Sequence, residues 1–109
     1  MFLIEKSSLG PDGLSELEGA AYEAGSSLIF VDIDREGEGP ALHQHPYSET
    51  FVILGGAALF TVGTESLTGR AGQIIVVPRL TPHKFEKTGS ETLEMIDVHA
   101  SGTIITEWL

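Results

Sequence analysis

The 109-residue sequence contains no cysteine and few basic residues, with 6 Lys or Arg against 16 Asp or Glu and a formal net charge of −10. Without cysteine the chain has no disulfide, no thiolate ligand and no thiol nucleophile, so any bound metal would be held by nitrogen and oxygen atoms. The excess negative charge repels phosphate backbones and anionic lipid surfaces, and no cluster of Lys or Arg offsets it locally. We therefore expect neither nucleic acid nor a membrane as a partner.

Long apolar runs are also missing. Residues 1–4 are apolar, but Glu5 and Lys6 follow at once, so this stretch is too short for the core of a signal peptide. No run approaches the roughly 20 apolar residues of a membrane span. We expect a cytoplasmic protein, and the chain length predicts a single domain over residues 1–109 with one modest core.

Short runs rich in Val, Ile, Phe and Thr, separated by many of the 13 glycines and five prolines, indicate an all-β chain. Gly55 and Gly56 predict a tight hairpin between strands at 49–54 and 57–62, and the apolar run 73–77 before Pro78 predicts a buried strand. Only residues 15–25 are compatible with a helix. The other predicted strands are one around the first two histidines and those at 27–34, 63–70, 83–87, 92–99 and 103–108. About eight short strands favour a closed or double-sheet antiparallel barrel.

Two imidazoles and a carboxylate fall within seven residues, at His43, His45 and Glu49. Their shared odd-numbered parity places them on one face of an extended chain. His83 follows a proline-containing turn and would come from another strand. A lone His-x-His pair is commonly just exposed, but the addition of Glu49 and His83 supplies the ligands that borderline divalent ions accept. The four residues therefore predict a divalent metal site.

The frame around these residues resembles the first motif of the cupin superfamily. The chain has Gly37, five residues, His43-x-His45, three residues, Glu49, six residues and Gly56, so every fixed position of that motif is matched. The second cupin motif is met by Gly72, Pro78 and His83, whereas Leu80 stands in place of a glycine and Lys87 in place of an asparagine. The resemblance covers about residues 27–100.

The resemblance implies a double-stranded β-helix of the jelly-roll type, in which His43, His45, Glu49 and His83 match the metal ligands. Fe, Mn, Ni, Zn and Co all suit such ligands. The resemblance also places Tyr47, Phe51, Ile53 and Phe85 in the barrel lumen, and their alternative reading is ordinary core packing. Tyr47, Phe51 and Phe85 are thus candidates for substrate binding. It further implies a homodimer.

Four residues have roles that are less directly indicated. Arg79, in the turn after Pro78, is the candidate for contacting an anionic group of a substrate, although a solvated turn residue is the simpler reading. Leu80 should not adopt the backbone angles that glycine permits, so the turn before His83 is expected to take another course. Lys87 either caps its strand at the barrel edge, which we favour, or directs its ammonium group toward the site. His99 is expected to be structural or exposed rather than a support for the metal ligands.

The leading functional hypothesis is a small metal-binding cupin that binds a small organic molecule, with dioxygenase-type oxidation as its most specific form. In that hypothesis Glu49 is either a ligand or, when dissociated from the metal, a catalytic base. No separate general base is evident in the predicted lumen, which weakens hydrolase and epimerase readings. A non-catalytic ligand-binding or sensing module, and a metal-dependent isomerase or decarboxylase, stay open as alternatives.

Overall fold

The fold is a pair of antiparallel five-stranded sheets that face each other. The computed structural model describes residues 1–9 and 14–109, with only the backbone described at Leu14. The strands are β1 (Leu14–Leu17), β2 (Ser27–Ile33), β3 (His43–Gln44), β4 (Glu49–Gly55), β5 (Ala57–Val62), β6 (Glu65–Arg70), β7 (Ile74–Val77), β8 (His83–Thr88), β9 (Leu93–His99) and β10 (Glu107–Trp108). One sheet has the order β1-β2-β9-β4-β7 and the other the order β10-β3-β8-β5-β6. The prediction of an all-β jelly roll is confirmed.

Alternation along the inner strands separates one hydrophobic core from a polar end. On β4 the buried residues are Glu49, Phe51 and Ile53, with less buried residues between them. The buried apolar residues are Val31, Ile33, Phe51, Ile53, Ala58, Phe60, Val77, Phe85, Leu93 and Met95. The same inward faces of β4, β8 and β9 also carry buried ionisable side chains, so the polar site is built on the strands that form the core.

The predicted hairpin at Gly55 and Gly56 is wrong. β4 pairs with β7 and β9, whereas β5 pairs with β6 and β8, so the two glycines carry the chain from one sheet to the other. Gly56 has a φ of 73°, and a Cβ at this position would lie 2.5 Å from the carbonyl oxygen of Thr92. Glycine is needed here for a sheet-to-sheet corner that passes close to another backbone.

The prediction that residues 73–77 form a buried strand is also wrong in part. The strand exists as β7, but it pairs only with β4 at the edge of its sheet, and the outward side chains of Ile74 and Val76 are 64% and 60% exposed. An uninterrupted apolar run therefore indicates a strand here without indicating burial on both faces.

The homodimer remains a prediction from the sequence.

The region predicted as the helix candidate, residues 15–25, contains instead most of strand β1 and a single 3₁₀ turn at Gly19–Tyr22. β1 pairs antiparallel with β2 in full register from Leu14 to Leu17, and this pairing outweighs a weak helical preference. Near the C-terminus the predicted strand at 103–108 is reduced to β10. Across the part of the chain that the structure covers, no helix has the length and apolarity needed to span a membrane.

Leu80, which stands where the resembled motif has glycine, adopts a backbone conformation typical of glycine, with a φ of 55°. The expectation that the turn would follow another course is therefore wrong. The left-handed region costs a non-glycine residue energy without being forbidden. The Leu80 N–H donates a 2.8 Å hydrogen bond to the carbonyl oxygen of His45, and the side chain is 52% exposed, so the turn is held by its backbone and the leucine meets no obstacle.

The strain at Leu80 leads to a stability prediction. We expect Leu80→Gly to raise the free energy of unfolding by about 1 kcal/mol, because glycine accepts this φ without steric cost. Leu67→Gly is the matched control, since Leu67 is 50% exposed on β6 and has no positive φ. That variant should lower the free energy of unfolding by about 1 kcal/mol, the usual cost of glycine in a strand. Urea unfolding followed by circular dichroism measures both, and equal destabilisation by the two substitutions would contradict the strain argument.

Candidate metal centre

Four buried side chains from separate parts of the fold meet at one end of the barrel. His43 on β3 and His83 on β8 are direct partners in the sheet, Glu49 begins β4 in the facing sheet, and His45 lies just beyond β3. One ligand atom from each of the four lies within 4.8 Å of the others. Their exposed fractions range from 2% to 7%. The structure therefore brings together the four residues that the sequence singled out.

Backbone carbonyl groups fix the orientation and the protonation of the three imidazole rings. Each Nδ1 atom lies 2.7 or 2.8 Å from a carbonyl oxygen, in the pairs His43 with Ala41, His45 with Ile105 and His83 with Thr81. A carbonyl oxygen only accepts hydrogen bonds, so each Nδ1 carries the ring proton and donates it. In the neutral ring the remaining nitrogen, Nε2, then has a free lone pair.

The Glu49 carboxylate faces two of these nitrogens. Its Oε1 lies 3.0 Å from Nε2 of both His45 and His83, and His45 Nε2 is buried without an aligned hydrogen bond. Burial alone would raise the pKa of the Glu49 carboxyl, but contacts from His45, His83 and His99 outweigh burial and hold that pKa well below its usual range. Burial is also the main reason why the pKa of His43 is lowered, which favours its neutral form.

When the three imidazoles are neutral, their Nε2 lone pairs and the charged oxygen of Glu49 converge with no donor hydrogen among them. Burial alone would lower the pKa of His45, but contact with Glu49 outweighs burial and raises that pKa, so positive charge is favoured at this point, as a proton or as a metal ion. Such a set needs positive charge between its members, and one divalent cation satisfies all four atoms at once. The donor set therefore fits a divalent metal ion.

His99 supports Glu49 from the opposite side and has the opposite tautomer. The Tyr47 hydroxyl oxygen accepts the N–H of Ile105 at 3.1 Å, which leaves its proton to be donated to His99 Nδ1 at 2.7 Å. His99 Nε2 then carries the ring proton and lies 3.1 Å from Glu49 Oε2. His99 is 1% exposed, so the expectation of a structural or exposed residue missed its contact with Glu49. The only signal in the sequence was that His99 shares the odd-numbered parity of Asp97 on the same predicted strand.

A cavity of about 860 Å³ reaches this cluster. His43, His45 and Glu49 line it, together with Phe51 and Phe85, which the sequence had placed in the lumen. The other two candidates for substrate binding lie elsewhere. Tyr47 stacks on the ring of His45, with ring centroids 5.2 Å apart, and Arg79 is exposed in its turn; neither belongs to the lining of the cavity.

Asp97 is a second acidic group inside the barrel. It lies on β9 two residues before His99, lines the cavity and is 3% exposed. Its Oδ1 has no hydrogen-bond partner. Burial, and to a lesser degree the negative charge of Glu49, raises the pKa of Asp97 well above its ordinary value. The sequence analysis found no separate general base in the predicted lumen. That interpretation was incomplete, because both Asp97 and His99 line the cavity.

Of the two positions predicted for Lys87, the structure supports the one at the barrel edge. Its side chain is 1% exposed, and its Nζ donates a hydrogen bond to the carbonyl oxygen of Gly89, immediately after β8 ends. The ammonium group therefore caps the end of its strand.

Comparison of the sequence with known proteins identifies two Streptomyces relatives. Protein SchB of Streptomyces halstedii is 33% identical over 75 residues, which are 67% of this chain and 54% of that protein. Polyketide synthase CurC of Streptomyces cyaneus is 34% identical over 74 residues, which are 67% of this chain and 48% of that protein. The chain thus spans about half the length of these curated relatives.

Comparison of the structure finds enzymes that act on oxalate. Bacillus subtilis oxalate decarboxylase, studied for its Mn(II) centres, matches with a TM-score of 0.79 at 20% identity, over 93% of this chain and 29% of that one. The formate complex of Lactobacillus farciminis oxalate decarboxylase matches with a TM-score of 0.80 at 22% identity, over 94% of this chain and 34% of that one. At such identities the likeness concerns the fold alone. The family model for the cupin domain matches residues 22–99, which is most of the sequence and includes every residue of the metal cluster. The chain therefore belongs to the cupin family.

Proposed function

We propose that residues 1–109 form a single-domain, metal-dependent cupin that binds a small organic molecule at a divalent centre held by His43, His45, Glu49 and His83. The observation that carries this proposal is the convergence of the ligand atoms within 4.8 Å at one end of a cavity. The name of one curated relative, a polyketide synthase, supports an organic ligand.

The chain's own residues perform distinct tasks in this centre. The three imidazoles and one carboxylate give a divalent ion a net charge of about +1, and an octahedral ion would keep two positions for other ligands. Bound there, the ion supplies a Lewis acid that polarises and orients a chelating molecule. His99 Nε2 lies 3.1 Å from Glu49 Oε2, and Glu49 Oε1 lies 3.0 Å from Nε2 of both His45 and His83. The carboxylate is therefore placed as a ligand of the same ion rather than as a free base.

Oxidation of the bound molecule by dioxygen is the reaction class that we propose. The aromatic side chains of Phe51 and Phe85 line the cavity beside the cluster and limit the access of water to a reacting molecule. Dioxygen is small and apolar, so this lining admits it.

A second candidate is a non-oxidative proton transfer, as in an isomerase or a decarboxylase. The specific observation in its favour is the pair formed by Tyr47 and His99. The Tyr47 hydroxyl oxygen lies 2.7 Å from His99 Nδ1, and His99 lines the cavity. Such a pair can relay a proton. The Tyr47 hydroxyl already makes hydrogen bonds with His99 and with the N–H of Ile105, and its pKa is raised, mainly by burial. We therefore rank the non-oxidative proton transfer second.

The metal content of the purified protein tests the centre directly. Protein prepared without a metal-affinity tag or chelator should contain a near-stoichiometric divalent metal by plasma mass spectrometry. His83→Ala should lose at least about nine-tenths of it, because a buried carboxylate and two imidazoles hold a metal much less well than the full set. Lys84→Ala is the control, since Lys84 is the exposed neighbour on the same strand. Equal metal content in all three proteins would contradict the assignment of His83.

The protonation of the four histidines gives a second prediction that does not depend on activity. In the zinc-loaded protein we expect the ring protons of His43, His45 and His83 on Nδ1, because each faces a carbonyl oxygen. The ring proton of His99 should be on Nε2, because its Nδ1 accepts from Tyr47. Side-chain nitrogen chemical shifts measured by NMR distinguish the two tautomers. A proton on Nε2 of any of the first three would rule that residue out as a ligand through this atom.

Oxygen uptake separates the two reaction classes from simple binding. We expect the Fe(II)-loaded protein to consume dioxygen in proportion to the loss of an organic substrate, in a screen of uncharged phenols and diketones followed with an oxygen electrode. His83→Ala should abolish the uptake and Lys84→Ala should preserve it. Substrate loss under strictly anaerobic conditions would instead support the non-oxidative candidate, and tight binding with no loss in either atmosphere would support a binding module.

A further inference from the structure

The outer lining of the cavity is rich in acidic residues. Its exposed members include Glu16, Asp34 and Glu38, whereas Asp32 alternates with the buried Val31 and Ile33 and directs its side chain to the outer face of its sheet. Arg35 is the only Lys or Arg among the described residues that line the cavity. The Debye length is about 8 Å at physiological ionic strength, so an anion that enters a cavity of this size meets these charges incompletely screened. The entrance therefore disfavours carboxylic acids, and most strongly those with two charges.

The interior wall presents an unpaired polar group among apolar ones. Asp97 is flanked in register by Ile29 on β2 and by Phe51 on β4, and it is almost fully buried with no partner for Oδ1. Burying a carboxyl group without a hydrogen bond costs free energy, and such groups in native proteins call for an explanation, of which a bound ligand is one. A hydroxyl group on a bound molecule would provide the missing bond, whether Asp97 accepts or donates the proton.

The rest of the lining is suited to an aromatic body. Phe51 and Phe85 lie on the wall beside the cluster, and Trp108 packs against the ring of His43 with centroids 5.2 Å apart. These rings offer flat apolar surfaces for stacking and edge contacts. The volume of about 860 Å³ lies in the range that holds a small organic molecule.

We propose that the cavity takes an uncharged, hydroxyl-bearing aromatic molecule, a phenol or polyphenol, and that Asp97 forms a hydrogen bond with its hydroxyl group. This inference rests on the proposed function, since the same molecule occupies the cavity beside the metal centre. It assigns a binding role to a residue outside the metal ligand set, and it separates this chain by ligand class from the oxalate enzymes whose fold it shares.

Calorimetric titration of the zinc-loaded protein tests the proposal with catechol and oxalate as probes. Wild type should bind catechol at least about tenfold more tightly than oxalate at physiological ionic strength. Asp97→Leu should weaken catechol binding about tenfold and Asp97→Asn about threefold, because the amide keeps part of the hydrogen bonding. Glu94→Gln, which alters an exposed residue on the same strand, is the control and should bind catechol as wild type does. Asp97→Asn decides the outcome if Asp97→Leu does not fold.

The zinc content of every sample, measured before and after titration, distinguishes the two ways of failing. Wild type that holds no zinc overturns the metal centre and this inference with it. Zinc-loaded wild type that binds oxalate as tightly as catechol overturns the ligand class alone. Folded, zinc-loaded Asp97→Leu and Asp97→Asn that bind catechol as tightly as wild type overturn the role of Asp97.

Discussion

The buried charge of Glu49 is the constraint on which this end of the molecule depends. A carboxylate that is 3% exposed loses most of its hydration, at a cost of several kcal/mol for an isolated ion. Nε2 atoms of His45, His83 and His99 surround it at 3.0 to 3.1 Å, and the charge is stabilised by the proton on His99 and by the positive charge, proton or metal ion, that His45 and His83 hold. These rings reach the carboxylate from the loop beyond β3, from β8 and from β9, so both sheets contribute to its stabilisation. A single ionised group thus fixes the relative placement of three chain segments.

Backbone atoms then divide the histidines into two kinds. His43 and His83 each bond to the carbonyl oxygen two residues earlier, at Ala41 and Thr81, so their tautomers are set locally. Ile105 determines the tautomers of the other two rings. Its carbonyl oxygen accepts a hydrogen bond from His45, and its N–H donates to the Tyr47 hydroxyl, which in turn donates to His99. The C-terminal segment therefore directs a lone pair of His45 toward the cluster and places the ring proton of His99 on Nε2, 3.1 Å from Glu49 Oε2.

The sequence was sufficient to predict the four-residue cluster and the fold class, from the spacing within one segment together with the resemblance to the cupin motifs. Parity alone placed His43, His45 and Glu49 on one face, and the motif supplied His83. Pairing between distant strands was not accessible in this way. The register that sets Glu49 opposite His99, and Phe51 opposite Asp97, depends on the sheet order β9-β4 and leaves no mark in either segment taken alone. The corner at Gly56 was mistaken for a hairpin for the same reason: a positive φ specifies a bend, and only the partners of β4 and β5 decide what the bend connects.

The four candidate metal ligands and much of the cavity wall come from different parts of the sequence, and this separation explains why a shared fold leaves the ligand class open. The cluster is built from β3, β4 and β8, where the family motifs lie, whereas much of the wall comes from β2, β9 and the C-terminal segment. Substitutions in the wall can change the charge and shape of the cavity without disturbing the carbonyl groups that orient the imidazoles. Acidic residues at the entrance and a lone carboxyl inside are features of that wall. In the function proposed above, the metal cluster determines which chemistry is accessible to the barrel, and residues outside its motifs determine which molecule reaches it.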